Sequence, residues 1–130
     1  MADVQLWDRI PYYTTKASSI LDISDAYTNI ATLSIPASFE AGDYEFAFSL
    51  TFSMNSTSNS THFRWRLDGG TWSEFIIQVK SSSNVEPLTY FYPKAYTSGA
   101  HTFDFEMKKS SASNTLDLHF LDLILKKVGA

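Results

Sequence analysis

From Tyr44 to Met54 the chain alternates without a break. Tyr44, Phe46, Phe48, Leu50, Phe52 and Met54 take the even positions, and Glu45, Ala47, Ser49, Thr51 and Ser53 the odd ones. Successive side chains of a strand point to opposite faces, so this pattern writes one buried face and one wet face. A helix would need its apolar residues three and four apart, which the unbroken alternation does not supply. The segment is therefore one long strand, and the sheet that holds it must bury its apolar face against a second layer.

The rest of the chain supplies more strands. Ala31, Leu33 and Ile35 alternate with Thr32 and Ser34 and stop at Pro36. Phe63, Trp65 and Leu67 face away from Arg64, Arg66 and Asp68, and Phe75, Ile77 and Val79 return with Trp72 and Ile76 on the opposite side. Between them, Asp68-Gly69-Gly70 predicts a tight hairpin turn, because glycine supplies the positive φ such a connection demands. Leu88 to Tyr92 is a mixed strand expected to end at Pro93. His101, Phe103, Phe105 and Met107 alternate with Thr102, Asp104, Glu106 and Lys108. Leu116, Leu118 and Phe120 continue the pattern, and the phase then switches to Leu121, Leu123 and Leu125. A one-residue switch without a turn residue predicts a β-bulge or a strand buried on both faces.

Two segments repeat. Pro36, Phe39, Gly42, Tyr44, Phe46, Phe48 and Leu50 align without a gap on Pro93, Tyr96, Gly99, His101, Phe103, Phe105 and Met107, at a constant offset of 57 residues. Each copy is a proline stop, an aromatic, a glycine turn and a long amphipathic strand. Two copies do not make a solenoid, but they suit a sandwich whose halves enter equivalent strands in the same way. The expectation is an all-β fold, an antiparallel β-sandwich of jelly-roll type with seven to nine short strands. Residues 21–130 form its single domain, and residues 1–20 are set apart as a possible anchoring arm. In that segment Trp7, Ile10, Tyr12 and Tyr13 cluster around Pro11. They read either as a first strand and loop packed on the sandwich or as aromatics that anchor on a neighbouring subunit, since an exposed apolar segment needs a partner.

Composition narrows the function. The chain carries a net charge of −4 and no like-charge block longer than Lys108-Lys109 or Lys126-Lys127, so nucleic acid is not an expected partner. It has no cysteine, which excludes disulfides and thiolate metal sites. No secretory signal or apolar run of membrane-spanning length is visible, so folding in a reducing cytoplasm and no membrane contact are expected. There is no Gly-x-Ser-x-Gly elbow, no phosphate-binding glycine loop and no His-Glu-x-x-His. His101, in phase with Phe103, reads as a satisfied, partly buried residue, and His62 as solvated at a loop edge. His119 shares a side with Asp117, but a metal site needs three or four converging ligands. Glu45, Asp104 and Glu106 read as the wet faces of strands. No catalytic residue, metal or cofactor is expected. Arg64, Arg66 and Trp72 are the best candidate contact patch, because Arg and Trp are enriched at interface hot spots. An ordinary cross-strand Arg–Trp pair on a solvent face is the alternative.

Ala41-Gly42-Asp43-Tyr44, the run from Phe63 to Gly70, Ser98-Gly99-Ala100-His101 and the closing Leu116 to Phe120 strand come in a telling order. Over about residues 30 to 127 the chain resembles the small jelly-roll virion proteins of tailed bacteriophages, the head decoration (cement) proteins and tail-fibre modules. The resemblance implies a non-enzymatic protein, assembled in the host cytoplasm and resident in the virion. Such a protein binds the major capsid protein or another virion protein, often as a dimer or trimer, and reinforces the lattice. The same glycine turns resemble galactose-binding-like carbohydrate-binding modules, which implies a tail-associated receptor- or carbohydrate-binding module as the alternative, with Trp72, Tyr90 or Tyr92 as stacking platforms. Those modules commonly bind calcium through acidic loops, and no acidic cluster stands out here.

Overall fold

A computed structural model describes residues 12–79, 82 and 85–128, with Tyr12 described by its backbone alone. Eight strands run through them: β1 (Tyr12–Ala17), β2 (Thr28–Ile35), β3 (Gly42–Met54), β4 (Ser60–Leu67), β5 (Ser73–Gln78), β6 (Glu86–Tyr96), β7 (His101–Lys109) and β8 (Leu116–Lys127). They form two four-stranded antiparallel sheets, ordered β1-β8-β3-β6 and β2-β7-β4-β5. Advancing each strand number by four, counted round the eight, turns the first order into β5-β4-β7-β2, the second sheet read from its other edge. The sandwich is thus a pseudo-two-fold jelly roll.

The repeat explains that symmetry. One copy carries the chain from β2 across to β3, and the other from β6 back to β7, so the two crossings run in opposite directions between the sheets. Residues matched in sequence meet in space. Phe46 stacks on Phe103 with ring centroids 4.4 Å apart at 6°, Phe48 lies 4.9 Å from Phe105, and Phe39 meets Tyr96 edge-on at 6.5 Å. Gly99, at φ 102°, donates its N–H to the Phe39 carbonyl at 3.0 Å and ties the second turn to the first. The six even positions of β3 from Tyr44 to Met54 are all buried, as are Phe63, Phe103, Phe105 and Met107 from the facing sheet. Each buried phenylalanine of this kind contributes roughly 1.5–3 kcal/mol of transfer free energy.

The phase switch in β8 is a bulge. Thr51 pairs with Phe120 and the next residue, Phe52, with Leu118, which leaves His119 as the extra residue. His119 and Phe120 both face outward, while Leu116, Leu118, Leu121, Leu123 and Leu125 are all fully buried. The hairpin after β4 turns at Asp68 (φ 52°) and Gly69 (φ 68°), closed by the Gly70 N–H on the Leu67 carbonyl at 2.9 Å. Two successive positive φ values match the right-handed twist of the flanking strands.

Two expectations are refined. The strand expected to stop at Pro93 runs from Glu86 to Tyr96 and contains Pro87 as well. It does so because β6 is an outer strand, where a missing N–H that faces solvent breaks no ladder. Of the segment 1–20, residues Tyr12 to Ala17 form β1, which pairs along β8 from Tyr12↔Lys126 to Ala17↔Leu121, and Ile20 bridges Leu118. Trp7 and Ile10 lie outside the described residues.

Candidate functional site

Antiparallel register sets residues of like parity side by side, and on the outer face of β2-β7-β4-β5 this aligns opposite charges. Arg64 lies opposite Glu106 on β7 and Glu74 on β5, and Arg66 lies opposite Asp104. The Arg64 Nε and one terminal nitrogen both donate to one oxygen of Glu106, at 2.8 and 2.6 Å. Arg66 Nε donates to Asp104 at 3.0 Å, and that carboxylate also accepts from the Thr32 hydroxyl at 3.1 Å.

Aromatic rings cover the guanidinium groups. Trp72, raised by the residues after the Asp68-Gly69 turn, lies 3.9 Å from the Arg64 guanidinium carbon and 4.2 Å from that of Arg66. Tyr27, just before β2, lies 3.8 Å from Arg64 on its own ring and donates its hydroxyl to Glu74 at 2.6 Å. Burial, and then the Glu74 carboxylate that accepts its proton, push the Tyr27 phenol well above its ordinary value. Lys108 completes the cluster at 5.1 Å from the Tyr27 ring. Three cations (Arg64, Arg66, Lys108) face three carboxylates (Glu74, Asp104, Glu106), so the patch is internally neutral and presents flat π surfaces rather than a net charge. A neutral, preorganised surface of this kind offers shape and stacking rather than charge as its means of contact.

Arg64, Arg66 and Trp72 therefore come together as one platform. Tyr13 is elsewhere, packed against Phe39 at 5.7 Å under the opposite sheet, and Tyr12 lies beside it in β1. Tyr27 and Glu74 are members that sequence reasoning missed. Glu106 and Asp104 carried a usable signal, since acidic residues two apart on one strand answer arginines two apart on another. Tyr27 lies outside any alternating run and carried none.

The histidines are engaged. His101, 8% exposed, has Nδ1 2.7 Å from an Asp68 carboxylate oxygen and Nε2 2.7 Å from the Thr97 carbonyl. Burial alone would lower its pKa, but the Thr97 carbonyl and the Asp68 carboxylate outweigh it and hold the value above the ordinary 6.5. His119 Nε2 meets the Ser53 hydroxyl at 2.8 Å, while Asp117 accepts the Asp22 backbone N–H at 2.8 Å. His62 Nε2 lies 3.2 Å from the Ser60 hydroxyl, and burial followed by Lys108 lowers its pKa. Among the described residues no three His, Asp or Glu side chains converge as metal ligands would.

The outer face of β1-β8-β3-β6 differs. Phe91, Ala47, Ile124 and Thr14 follow one another across its four strands in register. Phe91 is 59% exposed, and Phe120 at the bulge 40%. Polar pairing is sparse: Asp122 accepts from Thr14 at 2.9 Å and meets Lys16 at 3.8 Å.

Neither a protein-family model nor a curated protein matches the sequence. Solved structures do. The VP2 subviral particle of infectious bursal disease virus superposes with a TM-score of 0.64 at 12% identity, covering 94% of this chain and 34% of that one. The PRD1 vertex protein P5 follows at 0.56 and 12%, covering 91% of this chain and 73% of that one. Eiger TNF from S. frugiperda gives 0.52 at 7%, covering 92% and 95%. The likeness is one of fold. The chain spans about a third of the length of the first structures it matches, and the same sandwich serves Eiger TNF, so function has to be argued from surfaces.

Proposed function

We propose that this chain is a non-enzymatic structural protein of a bacteriophage virion, a head decoration protein that binds and reinforces the capsid lattice. The observation that carries the reading is the jelly-roll sandwich shared, over more than nine-tenths of this chain, with a VP2 subviral particle and a vertex protein. Its partner is then the major capsid protein or another virion protein, and it acts as a homo-oligomer, a dimer or trimer, in the assembled particle. The mechanism is interface burial. A standard contact of roughly 1,600 Å², multiplied by lattice symmetry, is enough to hold neighbouring subunits together. Arg64, Arg66 and Trp72 suit the centre of such a contact, because side chains already fixed by ion pairs and stacking lose little freedom on binding. Residues 1–11, with Trp7 and Ile10, lead into β1 and act as the anchoring arm.

Quantitative mass spectrometry of purified particles tests the reading. Copies comparable in number to the major capsid protein support a head protein. A small fraction of that number supports the tail-associated receptor- or carbohydrate-binding module instead, and absence from the particle overturns both. Deletion of residues 1–11 leaves β1 whole, so unchanged particle attachment by that variant would rule out the arm.

A further inference from the structure

A second surface lies apart from the Arg64 platform. Where the β4–β5 connection leaves the second half of β6 uncovered, a cleft of about 280 Å³ opens between the sheets, lined among others by Trp65, Thr71, Ser73, Tyr92, Lys94 and Tyr96. Thr71 and Ser73 flank Trp72 in sequence and point the other way, so the residues that raise the outer platform also furnish the cleft with hydroxyls.

Three features of the cleft point to a ligand. Tyr96 is 5% exposed, and its hydroxyl has no hydrogen-bond partner among the described residues. An unmatched buried polar group costs about 1–3 kcal/mol, a cost that a ligand hydroxyl or carbonyl would remove. Burial, reinforced by Tyr92 and Asp68, raises the Tyr96 pKa far enough that the phenol stays protonated and able to donate. Next, Trp65 and Tyr92 set two rings 5.3 Å apart as an aromatic wall. The Trp65 indole N–H is buried and has no hydrogen-bond partner among the described residues. Finally, the exposed Lys94 ammonium forms no ion pair among the described residues and sits 5.7 Å over the Tyr96 ring. The acidic neighbour, Asp68, is held by His101 and by the Thr102 N–H at 2.8 Å.

An aromatic wall takes the C–H face of a saturated ring, scattered hydroxyls take its hydroxyls, and one ammonium takes one negative charge. The volume lies just under the roughly 300–1,000 Å³ of clefts that hold drug-sized ligands, which limits the occupant to a single ring. We propose that this cleft binds one monoanionic sugar unit, a pyranose bearing a carboxylate, with its ring on Tyr92, a hydroxyl or carbonyl oxygen on the Tyr96 O–H and its carboxylate on Lys94.

Titration of the labelled full chain with D-glucuronate, followed by NMR, tests the assignment, with D-glucose and inorganic phosphate as comparison probes. Glucuronate is expected to shift the Trp65 indole and the Tyr92 and Tyr96 ring signals, to bind more tightly than glucose, and to weaken as salt screens the ion pair. Lys94→Gln should lower glucuronate affinity roughly 2- to 5-fold and leave glucose unchanged, as expected for an exposed ion pair. Tyr96→Phe should weaken both sugars roughly 2- to 10-fold, the worth of one hydrogen bond. Lys94 is exposed, so its variant keeps the fold whatever Tyr96→Phe does. Absence of shifts with glucuronate, equal shifts from glucose and glucuronate, or phosphate binding that matches glucuronate would each overturn the proposal.

Discussion

The two outer faces of this sandwich are backed by one core and built on opposite plans. On β2-β7-β4-β5 three cations, three carboxylates and two aromatic rings close into a neutral lattice around Arg64. On β1-β8-β3-β6 an apolar row runs through Phe91, Ala47 and Ile124, and polar pairing is limited to Asp122 with Thr14 and Lys16 and to Ser53 with His119. The first face stabilises the monomer and offers a rigid surface. The second adds little to the monomer and leaves apolar area that a neighbour could cover. A residue type enriched at interfaces is therefore an ambiguous sign: the arginines are already matched, whereas Phe91 is not.

Four variants or conditions can break or sharpen that contrast. Phe103→Ala should have the largest effect, about 3–5 kcal/mol of lost stability in chemical denaturation, because it empties the stack on Phe46 that serves both sheets. Hydrogen exchange should then quicken in both sheets together; faster exchange in only one would mean that the faces do not share a core. Glu106→Ala should cost about 1–3 kcal/mol, since it strands the half-buried Arg64 guanidinium without its carboxylate. Trp72→Ala should cost about 1 kcal/mol by removing the stack on two guanidinium groups. On the apolar face, Phe91→Ser should change stability by no more than about 0.5 kcal/mol while reducing self-association in light scattering. A larger loss of stability from Phe91→Ser than from Trp72→Ala would invert the comparison.

The end of the sandwich adds a pH dependence of its own. His101 has a folded pKa above its ordinary 6.5, so its contribution is complete below that value and is lost as pH rises through the elevated one. Denaturation midpoints should fall over that rise, and Asp68→Asn should flatten the profile by removing the partner carboxylate. An unchanged profile in Asp68→Asn would show that the Thr97 carbonyl alone raises the His101 pKa.

Much of the candidate platform was legible because it is local. Arg64, Arg66 and Trp72 lie on one hairpin, and a strand's alternation puts the arginines on one side without any knowledge of the fold. Tyr27 and Glu74 were not legible: one is far along the chain, and the other meets Arg64 only through strand register. The cleft was still less so. Its Thr71 and Ser73 come from the β4–β5 hairpin and its Tyr92, Lys94 and Tyr96 from β6 in the other sheet, and nothing in their spacing announces that they converge.

What the sequence by itself determined is the set of amphipathic strands, the Asp68-Gly69 turn, the phase switch between Phe120 and Leu121 and the equivalence of the two halves. Each follows from side-chain direction and backbone sterics, which act over a few residues. Only the tertiary structure decided that repeat-matched phenylalanines stack on each other, that β6 runs through its prolines and that one outer face is charge-locked while the other carries an exposed apolar row. Those outcomes depend on which strands become neighbours, and that choice is made by burying two apolar faces against each other, a force without direction along the chain.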